Sequence, residues 1–332
     1  MTSLLLFFMS LYTPYKAVGV VTDGKPFVVN HLGEETFISV TIGSLFQVYR
    51  TDKLTVCLVA RETPNAEIIT ALQVAGKETF CAVGKSILVY DRTRLVRKYD
   101  EHSAAILGLC MVGRMLLSWD SAGQMCLIDT QKRTMLSELQ SLQDSSISAV
   151  AHPATYLNKF LVGYANGALE LWNMNKQRLI YTFASHLAVL GSQPEEDEDN
   201  DFFARNVFNK EGKAAPSVTS MEQSPAVDVF GVGFSDGTII LLNLKLDKVL
   251  FSFKQDGGSV TSLSFRTDSG AQTFPYLASG SADGRVHLWN LGTRADPEDT
   301  DQEDEEDVQR GPRLERKLQF SMDEAHRGRV GR

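Results

Sequence analysis

The chain has 332 residues, 43% of them hydrophobic and 22% charged, with 33 basic and 41 acidic side chains and a net charge of −8. That balance excludes a collagen-like chain, a wholly disordered one and a dense disulfide scaffold, because apolar content is ordinary and there are only four cysteines. The charge is uneven: Pro194 to Asp201 (PEEDEDND) holds six acids and Asp296 to Asp307 holds nine, and without them 26 acidic residues face 33 basic ones, about +7.

Residues 1–14 form an apolar leader, in which the run from Leu4 to Met9 is far shorter than the ~20 residues of a spanning helix. No basic region and no small-residue cleavage site accompany it, so the expected structure is a leading strand or an irregular start. Beyond it, residues 15–332 repeat one pattern. A turn glycine is followed by a short apolar strand at Gly43, Gly84, Gly123, Gly167, Gly237 and Gly284, spaced by 41, 39, 44, 70 and 47 residues.

The first repeat turns at Ile42-Gly43 and ends in Val48-Tyr49-Arg50; the second turns at Val83-Gly84 and ends in Val89-Tyr90-Asp91. In the third, Ala122-Gly123 separates strands expected at Met115 to Trp119 and Met125 to Asp129. The fourth runs from Ile147 to Phe183 around Asn166-Gly167. The fifth is expected as strands Val218 to Glu222, Ala226 to Phe234, Thr238 to Asn243 and Val249 to Phe253, with its turn at Ser235-Asp236-Gly237. The sixth is expected as Val260 to Phe265, Tyr276 to Ser281, Arg285 to Asn290 and Arg316 to Phe320, turning at Asp283-Gly284. The large residue closing the third strand falls five residues after glycine in the later repeats (Trp172, Leu242, Trp289) but six after it at Tyr49 and Tyr90, which predicts a longer hairpin there.

A repeat of ~40–45 residues ending in a Trp-Asp-like dipeptide marks the blades of a WD40-type, all-β propeller. Six blades are recognisable, and Glu324 to Val330 reads as the start of a seventh. A propeller ending there would expose a blade edge, which the segment Pro26 to Asn30 could only partly cover, so the chain is expected to be a piece of a longer tandem-propeller protein. The irregular spacing places acidic insertions at about 186–217 and 294–312, whose charge and low hydropathy predict disorder.

The chain carries no phosphate loop of the G-x-x-x-x-G-K-[ST] kind and no G-x-S-x-G elbow. Cys57, Cys81, Cys110 and Cys126 lie in apolar runs without ligand spacing and read as small buried hydrophobes of a reducing compartment. His31, His102, His152, His186, His287 and His326 are scattered, His287 alternates with Val286 and Leu288 on a strand, and Asp283 reads as a turn former. The acids of Asp296 to Asp307 lack the glycine-centred loop of an EF-hand. No catalytic, cofactor-binding or metal residue is assigned, and the chain is expected not to be an enzyme. Two basic groups could meet RNA phosphates: Arg92, Arg94, Arg97 and Lys98, and Arg310, Arg313, Arg316, Lys317, Arg327 and Arg329. Without interleaved aromatics they do not read RNA sequence.

Many WD blades tie an inner loop to the third strand through a His, Asp, Ser/Thr and Trp network. The sixth repeat has Ser281, Asp283 and Trp289 but Asp256-Gly257-Gly258 in place of Gly-His, and the third has His102 but Ile128 in place of Trp. Blade stability is therefore expected to rest on strand burial more than on that network.

Three stretches are more specific: HPATYLNKFLVGYANGALELWN (His152 to Asn173), QSPAVDVFGVGFSDG (Gln223 to Gly237) and FKQDGGSVTSLSFRTD (Phe253 to Asp268). They resemble the U3 small nucleolar RNA-associated protein 21 family, also described as the WD repeat-containing protein 36 type, over roughly Tyr15 to Val330. The resemblance implies a nucleolar, non-catalytic scaffold of the UtpB subcomplex of the small-subunit processome, supporting pre-rRNA processing and 18S rRNA maturation. Its implied partners are other UtpB and processome proteins, with pre-rRNA and the U3 small nucleolar RNP met indirectly or through phosphates, and neither a membrane nor a small-molecule substrate. The residues alone also admit a WD-repeat adaptor of another complex, such as a ubiquitin-ligase substrate receptor or a trafficking coat subunit.

Overall fold

A computed structural model describes residues 27–141, 143–153, 155–191, 215–265, 276–291 and 317–322. The leader, the segment 294–312, the basic residues Arg310, Arg313, Arg316, Arg327 and Arg329, and the start of a seventh blade at Glu324 lie outside them. The described strands form six four-stranded antiparallel meanders, the blades of a β-propeller. The chain divides into two compact units, Met1–Arg114 and Met115–Arg332.

The first unit holds β1 (Val28–Leu32), β2 (Glu35–Ile42), β3 (Leu45–Arg50) and β4 (Thr55–Val59), then β5 (Ile69–Ala75), β6 (Glu78–Val83), β7 (Ser86–Asp91), β8 (Arg94–Tyr99) and β9 (Ile106–Val112). The second holds β10 (Met115–Asp120), β11 (Gln124–Asp129), β12 (Thr134–Gln140), β13 (Ile147–Ala151), β14 (Lys159–Tyr164), β15 (Leu169–Asn173) and β16 (Arg178–Phe183). It continues with helix α1 (Ser185–Gly191), β17 (Val218–Gln223), β18 (Val229–Phe234), β19 (Thr238–Asn243), β20 (Lys248–Lys254), β21 (Val260–Phe265), β22 (Tyr276–Ser281), β23 (Val286–Asn290) and β24 (Lys317–Met322). The segment around Pro26 to Asn30 thus contributes a strand of the first blade's own sheet, since β1 pairs with β2 in the register Val28↔Ser39. Helix α1 occupies the opening of the segment read as an insertion at 186–217; residues 192–214 lie outside the described ones.

All six turn glycines adopt positive φ, but they use two kinds of turn. In the first two blades the pairs Ile42↔Leu45 and Val83↔Ser86 enclose only two residues, with Gly43 (φ 59°) and Gly84 (φ 53°) first in the turn. That is the arrangement in which a right-twisted hairpin requires glycine at its first central position. In blade five the Gly237 N–H donates to Phe234 O at 3.2 Å and Gly237 (φ 91°) comes last of three loop residues, where glycine completes a bulged turn. The hairpins of blades one and two are therefore one residue shorter, not longer. Glycine sits one residue earlier in the loop relative to its end, so Tyr49 and Tyr90 keep the same strand position as Trp172 and Trp289.

That position has a second mark. In every blade the pairing of third to fourth strand slips immediately before the closing residue, at Val48/Tyr49, Val89/Tyr90, Leu127/Ile128, Leu171/Trp172, Leu241/Leu242 and Leu288/Trp289. The bulge places the extra residue on the fourth strand and turns it outward. Cys57 is that residue in β4 and is exposed; Cys110 is half-buried, while Cys81 and Cys126 are buried as expected. The residue after the closing one explains the polar half of the dipeptide: Asp129 Oδ1 accepts from Gln131 N and Lys132 N, Asn173 Oδ1 from Lys176 N, and Asn243 Oδ1 from Lys245 N and Leu246 N. A side-chain oxygen thereby caps each following turn.

Second and third strands are buried almost throughout, and apolar clusters fill the space between consecutive blades. Leu161, Leu171 and Phe183 of blade four pack with Val218, Phe230 and Val232 of blade five, and Ile239, Leu241 and Phe253 pack with Val260, Leu263 and Trp289 of blade six. In the first unit Phe46 and Ala60 pack with Ile69, Leu72, Cys81, Leu88 and Tyr90. Glycines in second strands admit this approach. A Cβ on Gly233 would sit 2.5 Å from Val260 Cγ1 and 2.6 Å from Ser220 Oγ. The Gly233→Ala variant is therefore expected to lose roughly 1–3 kcal/mol in urea titration, because Val260, whose Cβ would also lie 2.8 Å away, cannot retreat without moving its strand.

Candidate functional site

The chain's polar interior is the place to look for chemistry, and its groups turn out to join blades. In the first five blades the turn-glycine carbonyl accepts a hydrogen bond from the segment that follows the blade. Ile69 N–H donates to Gly43 O at 2.9 Å, Ile106 N–H to Gly84 O at 2.8 Å, Ser141 N–H to Gly123 O at 3.0 Å and Gln255 N–H to Gly237 O at 3.0 Å. In blade four the donor is a side chain: His186 Nε2 lies 2.9 Å from Gly167 O, so Nε2 carries the proton while Nδ1 has no partner. The His186 ring is 1% exposed and stacks on Phe234.

Helix α1 is fixed from blade five. Asp247, in the β19–β20 turn with φ 46°, accepts from Ser185 Oγ at 2.8 Å, Ser185 N at 3.3 Å, Ala184 N at 3.1 Å and Tyr181 Oη at 2.9 Å. Burial opposes its ionisation, but these hydrogen bonds prevail and hold the carboxyl below the ordinary carboxylate range. Burial likewise lowers the His186 pKa from its ordinary 6.5, only partly offset by Gly167 and Asp247.

The expected shortage of polar relays is not what the structure contains. In blade six Trp289 Nε1 donates to Ser279 Oγ at 2.9 Å, and Ser279 Oγ donates to Gln255 Oε1 at 2.7 Å. Gln255 takes the histidine's place, and Ser279 rather than Ser281 is the hydroxyl, because Ser281 instead binds Asp283 and the backbone of Arg285. In blade four Glu170, 1% exposed, accepts from Tyr164 Oη at 2.6 Å, Trp172 Nε1 at 2.9 Å and Gln143 Nε2 at 2.8 Å. Burial first, and then this carboxylate, push the Tyr164 phenol well above its usual range, so it stays protonated and donates.

These groups are spent on structure. His287 is 3% exposed, with Nε2 3.1 Å from Asp256 O, and Asp283 accepts from the Arg285 backbone while pairing with its guanidinium, as a turn residue should. His102 is buried, His31 Nδ1 lies 2.9 Å from Thr36 Oγ1, and His152 Nδ1 lies 2.9 Å from Lys159 O. Among the described residues no group of three or more His, Cys, Asp or Glu could hold a metal ion. The basic group Arg92, Arg94, Arg97 and Lys98 does gather along β8 and the turn before it. Arg97 lies against the Tyr99 ring at 5.9 Å and Lys98 pairs with Asp100 at 2.9 Å. The arrangement offers surfaces for binding.

The comparisons with known proteins agree with that picture. Residues 38–330 match the family profile described as the WDR36/Utp21 first beta-propeller. The chain belongs to the WDR36/Utp21 family. It is 31% identical to human WD repeat-containing protein 36 over 85% of this chain and 28% of that protein. It is 28% identical to the U3 small nucleolar RNA-associated protein 21 homolog of Schizosaccharomyces pombe, over 86% of this chain and 28% of that protein. The Saccharomyces cerevisiae U3 small nucleolar RNA-associated protein 21 is 25% identical over 86% of the chain and 28% of its own length. The chain thus spans about 28% of the length of the curated relatives it matches. Among solved structures, the computationally designed Ika8 protein superimposes with a TM-score of 0.60 at 17% identity, over 92% of this chain and 76% of that one, a likeness of fold alone.

Three stability measurements test the polar relays of this WDR36/Utp21 propeller. Trp289→Ala should cost roughly 3–5 kcal/mol in denaturant titration, since the side chain is 9% exposed and its ring centroid lies 4.8 Å from that of Phe253, the planes inclined at 53°; a loss under about 1 kcal/mol contradicts this. Glu170→Leu should cost about 3 kcal/mol or more, because three donors lose their buried acceptor. The depressed His186 pKa makes its contribution fully present above the unfolded value of 6.5 and lost as pH falls through the lower folded value. Thermal melts between pH 7.5 and 5.5 should therefore fall less steeply with acid for His186→Gln than for the unsubstituted protein.

Proposed function

We propose that this propeller is a non-catalytic scaffold in small-subunit ribosome assembly, acting in the nucleolus. The observation that carries the reading is the family match over residues 38–330, reinforced by relatives named for the U3 small nucleolar RNA. The physical character of the chain agrees: among the described residues, buried Glu170 and Gln255 tie blades together and Asp247 holds the start of helix α1. Such a body presents rigid loop ends and outer strands to partners. The partners in this reading are other UtpB and processome proteins, with pre-rRNA and the U3 particle reached through them or through phosphate contacts by cations such as those on β8. Its role is support of pre-rRNA processing and 18S rRNA maturation.

The test is depletion of the full-length protein followed by blotting of rRNA precursors, with co-purification in parallel. Loss of mature 18S rRNA, together with recovery of U3 RNA and UtpB subunits on the tagged protein, is the expected outcome. Intact 18S maturation, or recovery of cullin adaptors or coat proteins instead, would overturn the reading.

A further inference from the structure

The three most exposed large apolar side chains among the described residues are Leu157 at 80%, Val227 at 70% and Leu246 at 66%. All three sit on neighbouring loops of blades four and five. In blade four the β13–β14 loop is joined to the β15–β16 turn by Met174 N–H donating to Asn158 O at 2.9 Å. In blade five Leu244 N–H donates to Asp228 O at 2.8 Å and joins the β17–β18 loop to the β19–β20 turn. Between the blades, Tyr181 Oη donates to Asp247, the neighbour of Leu246, at 2.9 Å, and burial together with the nearby Asp228 carboxylate raises the pKa of the Tyr156 phenol. Leu157, Val227 and Leu246 therefore belong to one connected set of loops.

The loop backbones are held in place. Tyr156 N–H donates to Pro153 O at 2.8 Å and Lys159 N–H to Tyr156 O at 2.9 Å, while Leu246 N–H donates to Asn243 Oδ1 at 3.0 Å. Around Val227, which the repeat pattern placed inside a strand, Ser224 N–H donates to Val229 O at 3.1 Å and Val229 N–H to Ala226 O at 3.3 Å, closing a tight loop with Asp228 at φ 62°. The apolar tips are thus presented in fixed positions, which lowers the ordering cost of a partner's arrival.

Charge selects the partner. Residues 152–158, 174–178, 224–228 and 244–248 contain four cations, Lys176, Arg178, Lys245 and Lys248, and two carboxylates. Asp247 is engaged by Tyr181, Ala184 and Ser185, and four cations against two carboxylates leave these loops net positive by two. The four cations are exposed, and no ion pair forms on them among the described residues. An apolar group within a net positive field fits a chain that carries acids beside apolar side chains. RNA fits less well, because its bases are gripped by stacking on aromatic or guanidinium planes and the three tips here are aliphatic.

We propose that the loop end of blades four and five is a docking site for an acidic segment of a partner protein, one that seats leucine or phenylalanine side chains on Leu157, Val227 and Leu246. This deepens the scaffold reading, on which it rests for there being a partner at all. Its test uses the isolated 332-residue chain, so failure here leaves the rRNA-processing experiment unaffected.

Fluorescence anisotropy against four labelled probes decides it: pooled 15-residue acidic peptides containing Leu and Phe, the same pool with Ser in their place, a basic pool with Leu and Phe, and an oligo-uridine RNA. The first pool alone should bind. Its affinity should fall at least 10-fold in Leu157→Ser/Val227→Ser/Leu246→Ser and again in Lys245→Glu/Lys248→Glu, with thermal melts of both variants unchanged because every altered side chain is exposed. Absence of binding by the first pool, binding indifferent to the triple serine substitution, or binding confined to the RNA overturns the proposal.

Discussion

The carbonyl of the turn glycine is the constraint around which the rest of the fold is arranged. Positive φ at that residue aims its carbonyl away from its own hairpin, where the chain entering the next blade supplies a donor. In Gly237 this leaves so little room that an added Cβ would lie 2.9 Å from Gln255 O. One residue therefore performs two tasks, reversing a hairpin and docking its successor. A buried carbonyl left without a donor would be costly, so the donor persists even when its chemistry changes. Four times it is a backbone N–H and once it is the imidazole of His186.

That substitution has consequences along blades four and five. Once the donor is a side chain on α1, the helix must be held at a fixed distance from Gly167, and Asp247 does this from the neighbouring blade by gripping the helix start. Glu170 and Gln255 show the same economy in different form. Each stands at the centre of a relay that another WD blade would build from histidine and aspartate, and each satisfies the indole of the blade's tryptophan directly or through one hydroxyl. Strand burial and polar relays are thus joint supports: the apolar clusters seal the blades, and the relays determine which partner each buried donor meets.

Much of the architecture was legible in the linear pattern. The turn glycines, the six blades and most strand bounds in blades three to six follow from period-two alternation and turn chemistry, which act over a few residues. The reading faltered where two local solutions give nearly the same spacing. A glycine first in a two-residue turn and a glycine last in a three-residue turn both precede an apolar strand, so the extra residue before Tyr49 was mistaken for added length. Val227 was assigned to a strand because it is apolar and flanked by apolar residues, whereas the loop closed by Ser224 and Val229 leaves it outside the ladder. Cys57 reads as buried from its neighbours, but a bulge turns it outward.

By itself, then, the sequence determined the repeat, the all-β class and the family, since each depends on residues close together in the chain and on motifs of fixed order. Only the tertiary structure decided which polar groups meet. Gln143 reaches Glu170 across 27 residues, Ser279 reaches Gln255 across 24, and Ser185 reaches Asp247 across 62. No spacing rule links such pairs, because their distance is set by how one blade packs on the next. The exposed leucines and valine of blades four and five belong to the same class of fact: they are unremarkable along the chain, and become a surface only when the loops that carry them are brought together.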